Sequence, residues 1–332
     1  MDSNDSQQVF FQHIKALLPA HLSMVDEVAE VLNISNDSAY RRIRGEKPIG
    51  LEEIKKLCIH YNISLDQFMH LNSDSVLFTG KLANRTNFSF ELYLENFLHQ
   101  MQMVNSFLEK EMYYWLKDTP IFNIYQFPEL TAFKFFFWMR TVLEYPEYSK
   151  TKFNFSDFDE ILWPLGKKIM ETYIQIPSTE IWNKDNINTL IQQIEYYKDT
   201  NVFTSKNDII MLYDCLEMMI DHVEAQAEVG YKFNNNAKGS KGAFAKIYVN
   251  EFIIGDNTCM AVLDKKPIVF LNHSFINITS TKDPVFCEYM FEYFQTLIRK
   301  STLVSSVSEK QRSSFFTPIR EKLEQSKRRV LH

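Results

Sequence analysis

The stretch ISNDSAYRRIRGEKPIG, residues 34–50, concentrates positive charge in a chain that is acidic overall. Arg41, Arg42 and Arg44 fall within four positions, whereas the whole chain of 332 residues has a formal net charge of −6. The stretch opens with a Ser-Asn-Asp-Ser cluster, which is typical of a helix N-cap, and Gly45 follows the last arginine, where a helix ends. The pattern predicts a short cationic helix between two turns.

Apolar spacing on both sides of this stretch predicts a bundle of five helices. Ser23 is the expected N-cap of the second helix, and Asn33 is the expected turn residue before the third. Ser35 is the expected cap of that third helix, which runs to about Arg44. The apolar positions that define the other helices are Phe10, Phe11, Ile14, Leu17 and Leu18 in the first, Val25, Val28, Ala29 and Leu32 in the second, Leu51, Ile54, Leu57, Cys58 and Tyr61 in the fourth, and Leu65 and Phe68 in a fifth that begins at Ser64.

The second and third predicted helices form a helix-turn-helix, a motif that places its second helix in the DNA major groove. Hydrogen-bonding side chains on the early turns of that helix can read base edges, and an asparagine can pair with both polar atoms of adenine. The arginines can contact phosphates or guanine. The predicted DNA-binding residues are Ser35, Asn36, Ser38, Tyr40, Arg41, Arg42, Arg44 and Lys47.

The charge balance of this region is acidic as a whole but basic where DNA would bind. Residues 1–75 contain seven lysines and arginines against eleven aspartates and glutamates, which argues against strong non-specific binding to nucleic acid. Residues 41–56 contain six basic and three acidic side chains. Salt screens charges that lie beyond a Debye length, so DNA would meet mainly this local patch.

The segment SMVDEVAEVLNISNDSAYRRIRGEKPIGLEEIKKLCIHYNISLDQFM resembles the lambda-repressor-like helix-turn-helix domain of the XRE family. Its Val28-Ala29, Ile34-Ser35, Arg44-Gly45 and Leu51 positions, together with the closing NISLDQF, match the rhythm of that family. The form DSAYRRIRGEKP is similar to Bacteroidetes-type members, in which the remaining chain is an uncharacterised, sensor-like region. The resemblance implies five helices, binding to DNA as a dimer, and base contacts from Asn36, Ser38, Tyr40 and Arg41.

Beyond residue 72 the sequence predicts a linker and a second, larger domain. Helical periodicity is lost over residues 73–87, and a long amphipathic helix is expected over 88–117. Further helices are expected near 130–145, 157–174, 185–199, 207–229, 284–299 and 309–324, and short β-rich stretches between residues 244 and 279 predict a small antiparallel sheet. The expected fold is therefore mainly α, with a five-helix lambda-repressor-like domain (1–72) and a larger α+β region (88–332).

Several features of the larger region admit two interpretations. The carboxylates of Asp214, Glu217, Asp221, Glu224 and Glu228 form a stripe, which suits either a metal or acid/base site or, more commonly, a solvated helix face. The loop NNNAKGSKGA suits a phosphate or a simple flexible loop. Ser301, Thr302, Ser305 and Arg312 could line an anion site or serve only as helix caps. The aromatic run from Phe133 to Trp138 could wall a pocket or pack in a core, and the helix over 88–117 could mediate dimerisation or internal packing.

These observations predict a sequence-specific transcriptional regulator that binds double-stranded DNA as a homodimer, with the C-terminal region responsible for dimerisation or for sensing a small-molecule or protein effector. The alternative is a phage-defence or antitoxin-type module that binds a protein partner and uses the helix-turn-helix for autoregulation. The four cysteines form no CxxC pair, and no catalytic triad or cofactor fingerprint is present. We therefore expect no enzymatic activity, no cofactor, no metal and no membrane span, and a cytoplasmic location.

Overall fold

The computed structural model describes residues 3–18, 22–61, 63–65, 76–80, 88–155, 162–235, 241–252, 255–272, 277–306 and 309–331. The chain divides into two compact units, residues 1–77 and 78–332. Each unit encloses its own apolar core. The predicted linker over 73–87 lies largely outside the described residues, although Phe78 and Thr79 already belong to the second unit.

The described part of the first unit contains four helices, not the five-helix domain expected. They are α1 (Ser3–Leu17), α2 (Met24–Leu32), α3 (Asn36–Ile43) and α4 (Leu51–Tyr61). The fifth predicted helix falls mostly on residues outside the described ranges. Side chains from all four helices meet in one small core that includes Phe11, Ile14, Val28, Ala39 and Leu57.

The second unit contains a seven-stranded mixed sheet, so the prediction of a small antiparallel sheet is wrong. The strands are β1 (Lys110–Trp115), β2 (Ser178–Trp182), β3 (Ala245–Val249), β4 (Thr258–Leu263), β5 (Lys266–Asn272), β6 (Ile278–Thr281) and β7 (Thr302–Leu303). Their order is β6-β5-β4-β1-β2-β3-β7. β1, β2 and β3 are parallel neighbours, whereas β4 pairs antiparallel with β1 and with β5.

The helices of the second unit are α5 (Phe90–Ser106), α6 (Ile121–Ile124), α7 (Pro128–Phe137), α8 (Leu162–Ile174), α9 (Asn188–Asp199), α10 (Lys206–Val229), α11 (Pro284–Arg299) and α12 (Glu309–Leu331). A π-helix over Trp138–Val142 continues α7, and short 3₁₀ helices span Pro146–Tyr148 and Lys184–Ile187. The helix expected over 88–117 ends at Ser106, and Trp115, expected on its apolar side, lies on the central strand β1 instead.

Successive side chains along the strands point to opposite faces of the sheet, and each face has its own core. On β1, Met112 and Tyr114 enter the larger core, whereas Tyr113 and Trp115 pack with the smaller one. The larger core contains side chains from α5 to α10 and from α12, and the smaller core contains side chains of α11. The sheet is therefore covered by helices on both faces, as is usual when parallel strands are joined by helical crossovers.

A charged cluster lies in the larger core, around the side chain of Glu180 on β2. The carboxylate of Glu180 accepts hydrogen bonds from the hydroxyls of Tyr173 and Ser178 and from the indole N–H of Trp182. The ammonium of Lys232, which is 1% exposed, lies 3.5 Å from the centre of the Tyr173 ring and donates to the carbonyl of Ile176 at 2.6 Å. Burial lowers the pKa of Lys232 to about 7, although the charge of Glu180 opposes that shift.

Candidate nucleic-acid interface

The turn between α2 and α3 is built from residues suited to their backbone conformations. Asn33 adopts the left-handed conformation (φ 55°), which asparagine tolerates better than most residues. The amide of Ile34 then donates to the carbonyl of Ala29 at 3.0 Å, which closes α2. Ser35 is the N-cap of α3, and its hydroxyl accepts a hydrogen bond from the amide of Ser38 at 3.3 Å. Two helices joined by three residues result, as the sequence predicts.

One side of α3 holds the helix in the first unit. Ala39 is completely buried, and Ile43 packs against the same core. The end of the helix is fixed by α1, because the side chain of Gln7 donates to the carbonyls of Arg42 (2.7 Å) and Lys47 (2.8 Å). This contact is not predictable from the sequence, because glutamine at an early position of a helix forms no specific pattern.

Arg42 belongs to the buried side and is not available to DNA, contrary to the sequence-based assignment. Its side chain is 7% exposed, and its guanidinium donates hydrogen bonds to both carboxylate oxygens of Glu53, at 2.8 and 3.0 Å. It also donates to the hydroxyl and the carbonyl of Ser38, at 2.7 and 3.0 Å. The Arg42 guanidinium lowers the pKa of Glu53 chiefly through these hydrogen bonds. Ser38 is thus a partner of Arg42 on the inner side of α3.

The outer side of α3 presents a different set of side chains, which we call the α3 outer face: Ser35, Asn36, Tyr40, Arg41 and Arg44, with Lys47 just beyond the helix. All six are exposed, and Tyr40 is 46% exposed. Positions 36, 40 and 44 repeat every four residues, and Arg41 lies beside them, so the set follows one side of the helix.

Arg44 and Tyr40 form a unit on the outer face. The guanidinium lies 5.5 Å from the centre of the Tyr40 ring, donates to the Tyr40 hydroxyl at 3.2 Å and forms an ion pair with Glu46 at 3.2 Å. The hydrogen bond to Tyr40 is the main reason why the pKa of Arg44 is raised. Arg41, by contrast, makes no side-chain hydrogen bond or ion pair to any described residue. Arg41 is therefore the cation of α3 most free to meet a ligand.

The beginnings of α2 and α3 lie side by side. The side-chain amide of Asn36 donates to the carboxylate of Asp26 at 2.7 Å, and Asp26 lies three residues after Ser23, the N-cap of α2. This bond orients the Asn36 side chain but leaves its carbonyl oxygen and its second N–H without a described partner. Asp37 is exposed on the first turn of α3, where a carboxylate stabilises the helix dipole.

The residues of the possible anion site, Ser301, Thr302, Ser305 and Arg312, lie between the end of α11 and the first turns of α12. Ser301 donates to the carbonyl of Leu297 at 2.6 Å and accepts from the side chain of Asn250. The buried hydroxyl of Ser305 accepts from the backbone amide of Ile247 at 3.0 Å, and Thr302 lies exposed on the edge strand β7. Arg312 is buried and lies 3.8 Å from Glu228. Three of the four side chains therefore have structural partners within the fold.

The acidic stripe of α10 pairs with cations of α12, and Asp214, Asp221 and Glu228 are also at least half exposed. Lys327 contacts Asp214 and Glu217, Arg320 contacts Asp221 and Glu224, and Arg312 contacts Glu228. As residue numbers rise along α10 they fall along α12, so the two helices run antiparallel. We call this set of ion pairs the α10–α12 ladder. Among the described residues, no group of three His, Cys, Asp or Glu side chains is arranged to hold a metal ion.

The other weaker candidates have places in the fold. Phe133, Phe135, Phe136, Phe137 and Trp138 are buried in the larger core, as core packing predicts. The loop NNNAKGSKGA lies in part (236–240) outside the described residues. The apolar side of α5 packs in the same core and against α8, so it is not an open dimerisation surface.

No described helix combines the length and the apolar character needed to cross a membrane. Comparison of the chain with models of known protein families, with curated proteins and with solved structures finds no match.

Proposed function

We propose that the protein is a sequence-specific regulator of transcription that inserts α3 into the major groove of double-stranded DNA. The observation that carries this proposal is the division of α3 into two sides. Ala39 and Arg42 anchor the helix, whereas Asn36, Tyr40 and Arg41 are exposed on the opposite side. A rigidly held helix with exposed hydrogen-bonding groups has the form that direct base readout requires.

The chemistry of the α3 outer face suits both kinds of DNA contact. The side chain of Asn36 has a carbonyl oxygen and an N–H without a partner among the described residues, and these match the N6 and N7 positions of adenine. Arg41 can bond guanine or a phosphate, and Lys47 extends the cationic surface beyond the helix. Arg44, oriented by Tyr40 and Glu46, is suited to a phosphate whose position is fixed. Phosphate contacts would set the register, and Asn36 and Arg41 would read the sequence.

The charge distribution supports selective rather than indiscriminate binding. The chain has a net charge of −6, so long-range attraction to the DNA polyanion is weak. Ion pairs to Glu53 and Glu46 also occupy Arg42 and Arg44. Affinity must then come from short-range contacts of a few residues, and those contacts depend on the base sequence.

One α3 helix covers too few base pairs to specify a site in a genome, so we propose that two copies bind two half-sites. The second unit would bring the copies together and would respond to a small-molecule or protein effector. Such a role requires access to chromosomal DNA, and we propose a cytoplasmic location.

Selection from a pool of random duplexes tests this function. Full-length wild-type protein should enrich a common motif that consists of two related half-sites. Arg41→Ala should enrich it at least about fivefold less, because a lost base contact costs about 1–3 kcal/mol. Lys15→Ala is the matched control, since it removes one exposed cation of the same unit from α1 and should leave the enrichment unchanged.

Two results would count against the proposal. One is the absence of any enriched motif; the other is equal loss of enrichment in the Arg41 and Lys15 variants, which would indicate non-specific attraction. Capture of a protein partner through Tyr40 and Arg41, with no motif enriched, would favour the protein-interaction alternative.

A further inference from the structure

The solvent side of α11 carries a narrow stripe of side chains at three- and four-residue spacing: Val285, Glu288, Tyr289, Glu292, Thr296 and Arg299. The opposite side of the helix, with Cys287, Met290, Phe294 and Leu297, is buried against the sheet. Successive residues of a helix are rotated by about 100° around its axis, and with this rotation the six side chains fall within one arc of roughly 100°. Val285 and Tyr289 are 78% and 62% exposed, so among the described residues this stripe is uncovered.

The charges of the stripe are arranged in a self-complementary way. Glu288 lies in the first half of α11 and Glu292 at its middle, whereas Arg299 and Lys300 lie at its end; all four are exposed. If a second α11 packs antiparallel against the first, the acidic half of each copy faces the basic end of the other. A parallel arrangement would instead place like charges together. The charge pattern therefore favours a two-fold contact between identical helices.

The aromatic side chain of Tyr289, which lies between the two glutamates of the stripe, adds contact area to such an arrangement. Tyr289 stacks on Tyr293 of the next turn, with ring centres 6.5 Å apart, so its ring is held against the helix before any partner arrives. Tyr293 in turn packs edge-on against Trp115 of β1, at 5.5 Å. A large ring with restricted rotation contributes contact area at low entropic cost.

The geometry points to α11 as the surface through which two copies of this chain associate, antiparallel and about a two-fold axis. A sixteen-residue helix is about 24 Å long. A contact of that length is at the low end of specific interfaces, so we expect weak association in free protein, with a Kd of about 1–100 µM. Two half-sites on one duplex would raise the effective concentration of the copies. This inference rests on the proposed function for its biological role, but the experiment that tests it needs no DNA.

Charge reversal in two complementary variants tests the contact. In Glu288→Lys/Glu292→Lys both halves of the stripe are basic, and in Arg299→Glu/Lys300→Glu both halves are acidic. Each variant alone should have a dimer Kd at least about tenfold higher than wild type, because attraction becomes repulsion in a symmetric contact. An equimolar mixture of the two variants should form a heterodimer, because each basic stripe then faces an acidic one.

The measurement is sedimentation velocity of the full chain over a concentration series, with one variant fluorescently labelled in the mixture. Glu91→Lys/Glu95→Lys on α5 is the matched control, because it reverses two exposed glutamates at the same spacing on another helix. It should associate like wild type. Monomeric wild type at every concentration, dimerisation unchanged by both reversals, or failure of the mixture to associate would each overturn the inference. An enriched DNA motif in the presence of any of these results would leave the proposed function standing.

Discussion

The guanidinium of Arg42 donates two hydrogen bonds to Glu53 and two to Ser38, whereas the adjacent Arg41 is exposed and donates none to a described residue. Neighbours on a helix point about 100° apart, so one of two consecutive arginines can be buried while the other faces solvent. The sequence predicts the cationic helix but does not distinguish the two, because the partner Glu53 lies on another helix.

This difference predicts opposite phenotypes for two neighbouring substitutions. Arg42→Ala leaves Glu53 half-buried without its partner and should lower the free energy of unfolding by about 2 kcal/mol. Arg41→Ala should change it by less than about 0.5 kcal/mol, as is usual for exposed positions, while reducing DNA affinity. Chemical denaturation followed by circular dichroism, together with binding to the selected duplex, checks both. Equal stability of the two variants would contradict the structural role of Arg42.

Lys232 predicts a specific dependence of stability on pH. Its folded-state pKa, about 7, lies below the value of about 10.5 expected in the unfolded chain. Between these values the unfolded chain binds more protons, so the free energy of unfolding should rise with pH, by up to about 1.4 kcal/mol per pH unit. Lys134, whose pKa burial lowers to about 8, adds to the same trend.

Lys232→Met separates the contribution of Lys232 from that of Lys134. Between pH 7.5 and 9 its free energy of unfolding should rise less steeply than that of wild type, by about 1 kcal/mol per pH unit. Lys246→Met, which replaces an exposed lysine on β3, should keep the wild-type slope. Urea denaturation at several pH values measures both, and identical slopes for wild type and Lys232→Met would show that Lys232 is not desolvated.

Among the elements, the α10–α12 ladder shows what periodicity can and cannot predict. The sequence pattern predicts a helix over 207–229 with one carboxylate-bearing side, and the structure has this helix over Lys206–Val229. Whether that side meets water, a metal or a cationic helix depends on α12. The two helices are far apart in the sequence, because α10 ends at Val229 and α12 begins at Glu309. Single-helix patterns contain no information about such a distant partner.

The ladder predicts a salt-sensitive contribution to stability. Arg320 pairs with both Asp221 and Glu224, all partly exposed, so Arg320→Gln should lower the free energy of unfolding by about 1 kcal/mol at low salt. Added salt should reduce that loss because it screens exposed charges. Arg328→Gln removes only a pair within α12, to Glu324, and should cost about 0.3 kcal/mol. A loss for Arg320→Gln that does not change with salt would indicate packing rather than charge.

At the scale of the whole molecule, the sheet was the least predictable feature. β3, β4 and β5 lie where the β-rich stretches indicated, but β1 and β2 were missed. All five residues of β2 are buried, so the strand lacks the polar alternation that identifies a strand with one solvated face. β1 follows α5 after a short turn, and its apolar residues extend the helical spacing. The parallel pairing of β1, β2 and β3 depends on helical crossovers, which local patterns do not reveal.

The proposed function requires that the α3 outer face distinguishes one DNA sequence from another. The most direct measurement is the ratio of two dissociation constants for the full chain at one fixed salt concentration, for a scrambled duplex and for the selected duplex. We expect a ratio of at least about 1,000 for wild type, and a ratio at least about fivefold smaller for Arg41→Ala. A ratio near one for wild type, with affinity that falls steeply as salt is added, would contradict it.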